Sequence, residues 1–154
     1  MRALIFAIAI ALTAPAQAQQ RISLPIAKGF WTSAPESCAK VRHGYVYDGK
    51  RWGALYYYGP NGSMGPSAEL EPITQTRAVG GGFTQMQFGG YDGAGYFRLK
   101  SVDATHATYR VGAPFQDEVQ ESDEALKLCS FASLSPKMKA AIRKHAPGLV
   151  TPIK

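Results

Sequence analysis

Cys38 and Cys129 are the only thiols in the sequence, and their chemistry depends on the compartment. In an oxidising one an even count pairs, and two cysteines allow a single bridge across most of the chain; in a reducing one they are two buried free thiols. No Cys-x-x-Cys occurs, and His43, His106 and His145 are scattered, so no metal site is expected. Asp103 and His106 stand three apart and could act as a base with its orienting carboxylate, but no nucleophile can be assigned to them. Patterns of the type Gly-x-Ser-x-Gly, His-Glu-x-x-His or a phosphate loop are absent from the sequence. Asp48 and Asp92 each precede a glycine. Calcium would need more oxygen ligands than these sites offer, and turns explain both pairs. The expectation is a non-enzymatic protein without metal or cofactor.

Two clusters remain that could bind rather than catalyse. Trp52, Tyr56 and Tyr58 alternate with Gly53, Leu55 and Tyr57, so on a strand they share one face. If Leu55 points inward, that row is an exposed aromatic surface for a ligand or partner; if the row points inward, it is core, the reading the pattern favours. The second cluster is basic. Lys137, Lys139, Arg143, Lys144 and Lys154 follow Ser135 with no acid among them, and with Arg2 they account for the whole formal charge of +6. The helix that carries the first four of them would either touch an anionic surface or dock Met138 and Ile142 over an open end of the domain and leave its lysines to solvent. Nucleic acid is not an expected partner of an exported protein.

Export is read from the first 18 residues. Arg2 precedes an uncharged run from Ala3 to Leu12, Pro15 breaks it, and Ala16-Gln17-Ala18 is the small-x-small pattern of signal-peptidase cleavage. Ten apolar residues are too few to span a bilayer, which needs roughly 20. The expected organisation is a signal peptide over 1–18, an N-terminal arm over 19–28, a β domain over 29–132 and a basic helix and tail over 133–154. The mature product would be periplasmic or secreted, with no transmembrane span.

The elements that must position these residues are short strands. Sixteen glycines and ten prolines argue against a helical bundle. Alternating or apolar runs fall at 29–32, 39–47, 52–58, 73–79, 83–88, 96–102, 106–111 and 126–131, with Asp48-Gly49 as a hairpin signal between the second and third. Residues 63–72, with Pro66 and Pro72, and the acidic stretch 117–124 are expected as loops. Seven to eight short strands without intervening helices predict an all-β antiparallel barrel, or a sandwich-like meander, with one C-terminal amphipathic helix begun by Ser135-Pro136.

Gly29-Phe30-Trp31 resembles the Gly-x-Trp that opens the first strand of lipocalin-like (calycin) barrels. The resemblance implies that Trp31 closes one barrel end beneath a basic residue from a late strand, a role for Arg110. Small exported bacterial inhibitors of secreted metalloproteases share this general class; their disulfide closes a short N-terminal loop, whereas a Cys38–Cys129 bridge would span the domain. Three functions are carried forward: a binding module of the cell envelope for a protein or small apolar ligand, a periplasmic protease inhibitor using residues 19–28 as its arm, and an envelope protein contacting anionic surfaces through its basic helix.

Overall fold

The computed structural model describes residues 22–91 and 93–150. The proposed signal peptide and its cleavage site, Asp92 and Lys154 lie outside the described residues. Eight strands follow one another: β1 (Gly29–Ser33), β2 (His43–Tyr47), β3 (Arg51–Tyr58), β4 (Met64–Ala78), β5 (Thr84–Phe88), β6 (Tyr96–Ser101), β7 (His106–Phe115) and β8 (Glu118–Cys129). Each pairs antiparallel with its sequence neighbour, and β1 pairs with β8 to close a barrel. The helix α1 (Pro136–His145) follows.

The period-two alternation builds the interior. Trp31, Tyr47, Trp52, Ile73, Met86, Leu99, Tyr109 and Leu126, one from each strand, form a single buried cluster. One end of the barrel is filled. Leu24 is buried in the same cluster, and its backbone N–H donates to the Tyr47 hydroxyl at 3.2 Å. The Trp31 indole N–H donates to the Ala27 carbonyl at 3.0 Å. Trp31 is therefore sealed from below by the chain that precedes it. Arg110 does not cover it as the lipocalin-like resemblance implied: pleating puts Arg110 on the outer wall, where it pairs with Asp123 at 2.6 Å and lies over the Phe83 ring.

Two expected loops are strands. Residues 64–72 pair with β3 and residues 73–78 with β5, so β4 changes partner along its length. Its prolines are tolerated because each half pairs on one side only, and Pro66 sits in the irregularity between the Tyr56–Ser67 and Tyr58–Met64 pairs. The acidic stretch belongs to β8, where Arg110 faces Asp123 and Tyr109 faces Glu124 across the ladder. Gly53 is required where β3 and β4 approach: a Cβ there would lie 1.7 Å from the Glu69 carbonyl oxygen.

The helix does not cap an open barrel end. Met138, Ala141 and Ile142 bury themselves against Phe30, Val46, Leu55 and Cys129, all on the outer wall of the barrel. Ser135 caps α1 by accepting from the Met138 N–H at 3.2 Å, with Pro136 at its first turn. Cys38 and Cys129 are bridged beside this second cluster, with Cα atoms 5.7 Å apart. Closing a loop of 91 residues is worth ~4–5 kcal/mol on the chain-entropy model.

Candidate functional site at the barrel mouth

The end of the barrel opposite the Leu24 seal is hollow. It holds an open cavity of about 590 Å³, within the range of small-molecule sites. Trp52 and Ala54 reach it from β3, Tyr45 from β2 and Tyr109 from β7; Phe88, Tyr91 and Phe97 face them from β5, β6 and the turn between them. The aromatic walls are ordered. Tyr45 stacks on Trp52 at 5.3 Å between ring centroids, Tyr109 meets both rings edge-on or tilted, and Phe97 makes edge contacts with Phe88 and Tyr91.

The polar groups of the wall are acidic. Glu69 and Glu71 on β4 line the cavity, and among the described residues no lysine, arginine or histidine does so. Glu69 accepts from the Tyr56 hydroxyl at 2.6 Å. Glu124, behind the aromatic floor, accepts from the Tyr45 hydroxyl at 2.9 Å. Burial, and then the hydrogen bond to Glu124, push the Tyr45 phenol well above its ordinary range; burial and the Glu124 charge raise Tyr109 to about 12. Both rings therefore stay neutral at any physiological pH. Trp52 is 2% exposed, and its Nε1 is a buried donor. It interacts with the Tyr109 hydroxyl, which holds back part of that phenol's rise, and among the described residues no acceptor meets strict hydrogen-bond geometry.

The expected aromatic row is only partly core. Trp52 is buried on the cavity floor, Tyr56 is half-buried, and Tyr58 is 45% exposed at the rim. Leu55 on the opposite face is also buried, because α1 covers the outer wall there. Both faces of β3 are thus occupied, and the choice between them in the sequence had no single answer. Tyr45, Phe88, Phe97 and Tyr109 join the same site from other strands. Their shared period-two faces were readable, but not the gap between them.

The basic helix residues are mostly engaged with the protein. The Lys137 ammonium donates to the Gly62 carbonyl and lies over the Tyr57 ring, Lys139 donates to the Ala132 carbonyl, and Arg143 lies over Phe131. Lys144 is exposed. Asp103 Oδ2 meets His106 Nδ1 at 3.0 Å, while its Oδ1 accepts from the Thr105 and His106 backbone N–H groups. The pair is a self-bonded exposed turn, and the Thr105 hydroxyl reaches the same ring nitrogen. Asp48 closes the β2–β3 turn by accepting from the Lys50 and Arg51 N–H groups at 2.9 and 2.7 Å. Burial would raise its carboxyl; those bonds and the Arg51 guanidinium outweigh burial and hold it below the usual carboxylate range.

Among the described residues no helix is long and apolar enough to cross a membrane, and no cluster of three potential metal ligands occurs. Compared with family models, curated proteins and solved structures, the chain matches none. The closed eight-stranded antiparallel barrel is compatible with a lipocalin-like architecture.

Proposed function

We propose that the protein is an exported, non-enzymatic binding module that takes a small, largely apolar ligand into the mouth of its barrel. The observation that carries this reading is the uneven filling of the interior. One end is packed by Trp31 and Leu24, while the other keeps an aromatic-walled cavity of about 590 Å³ open to solvent. A core built only for stability would close such a space, because unfilled volume forfeits dispersion contacts. The disulfide and the leader-like first 18 residues support an oxidising compartment.

The other two readings have less behind them. Residues 22–28, part of the arm an inhibitor of this class would use, are folded beneath the barrel with Leu24 buried. The apolar face of α1, which a membrane contact would need, is spent on the barrel wall.

The test is uptake of the neutral dye Nile red, followed by fluorescence, in the wild type and in Ala54→Trp, whose new ring would occupy the cavity. Ala54→Leu is a milder plug should the larger one disturb folding. Saturable binding that both plugs weaken at least about tenfold supports the reading; each tenfold corresponds to 1.4 kcal/mol. Absence of saturable binding, or binding indifferent to both plugs, refutes it.

A further inference from the structure

We infer that the barrel mouth selects a positively charged organic ligand: an ammonium-type group carried on an apolar or aromatic body. The inference rests on the proposed binding cavity and names the chemistry that would fill it. Its first support is the sign of the wall. Among the described residues, Glu69 and Glu71 are the charged side chains that line the cavity, and Glu124 stands behind Tyr45. Of the bases on the neighbouring strands, His43 of β2 meets the Tyr45 and Tyr56 rings at 5.4 and 6.0 Å between centroids without lining the cavity, and the arginines of β6 and β7 point away. Arg98 and Arg110 face each other across the β6–β7 ladder on the outer surface, where they engage Glu121 and Asp123. An anion entering the mouth would be repelled by Glu69 and Glu71.

The second support is independent of charge. The remaining wall is aromatic, and the faces of such rings attract cations. Tyr91, at 44% exposed, and the half-buried Phe88 and Phe97 leave aromatic surface at the opening. Rings and carboxylates together form an enclosure that stabilises a poorly hydrated organic cation better than water does, whereas a small, strongly hydrated inorganic cation would lose more hydration than the rings return.

The experiment compares two probes of nearly identical shape and opposite charge, tetraphenylphosphonium and tetraphenylborate, by equilibrium dialysis against the oxidised full chain. The chain carries a formal charge of +6, so unspecific attraction favours the borate, and a preference for the phosphonium must arise locally. The expected result is phosphonium binding at least about tenfold tighter, with the preference largely erased in Glu69→Gln/Glu71→Gln. Equal binding of the two probes, or tighter binding of the borate, overturns the inference, as does a phosphonium preference that survives in the double variant. If neither probe binds while Nile red still does, the cation inference falls and the cavity reading stands. If neither probe nor Nile red binds, both fall.

Discussion

Truncating Ile142 to alanine separates a structural helix from a surface-seeking one. Ile142 is 1% exposed and sits with Met138 and Ala141 against Phe30, Val46 and Leu55 of the barrel wall. A ten-residue helix is unstable alone in water, so α1 persists through this contact. Removing three carbons from a fully buried isoleucine costs about 2–5 kcal/mol, the upper part where the site cannot collapse. The small gap of about 180 Å³ already present beside Ile142, Leu134 and Phe30 shows that this wall is not perfectly filled, so truncation enlarges an existing space. Alanine's better helix propensity returns only a few tenths of a kcal/mol. For a domain of this size each kcal/mol moves the melting temperature by roughly 3–5 °C, so Ile142→Ala should melt roughly 6–25 °C below wild type by circular dichroism. The control Lys144→Gln, at an exposed position, should stay within about 0.5 kcal/mol. A melting temperature unchanged in Ile142→Ala would refute the packing argument and return α1 to the envelope-contact reading, in which its apolar face is free for another surface.

Three further outcomes follow from other parts of the molecule. Replacing Cys38 and Cys129 together by alanine should cost about 2–5 kcal/mol, read as a lower urea midpoint, and adding reductant to the wild type should reproduce the loss. Gly53→Ala places a carbon 1.7 Å from the Glu69 carbonyl oxygen, so β3 and β4 must part; a loss of about 1–3 kcal/mol is expected, together with amide shift changes along residues 51–56 and 67–72. The Asp48 carboxyl titrates below its unfolded value of about 3.9. Its contribution is therefore complete above that value and lost as pH falls through the folded value. Asp48→Asn should lower stability at pH 7 and narrow the gap between pH 7 and pH 3 in urea unfolding.

Much of the architecture was legible because it depends on local rules. The alternation of Phe97 and Leu99 with Arg98 and Lys100 marked inner and outer faces correctly, and Ser135-Pro136 marked the helix start. The disulfide followed from the even cysteine count together with the expectation of export. The readings that needed correction concern tertiary context. Pro66 and Pro72 look like loop residues unless it is known that β4 pairs on one side at a time. The acids of residues 118–124 look like a solvated loop unless β7 supplies Arg110 opposite Asp123. The row of Trp52, Tyr56 and Tyr58 could not be sorted from Leu55, because a helix about 80 residues downstream buries the other face. Least visible was the cavity: which residues face inward follows from period two, but whether their side chains meet across the barrel depends on its radius and on what enters each end. Leu24 enters one end and leaves Tyr45, Phe97 and Tyr109 facing a space at the other.

The most direct test of a binding site at the hollow end is a two-dimensional amide NMR titration of the oxidised protein with a neutral aromatic probe, 2-naphthol. The account predicts saturable shift changes centred on Ala54, Phe97 and Tyr109, with residues 136–145 of α1 unmoved. Changes confined to α1 and the outer wall around Phe30, or no saturable change at all, would contradict it.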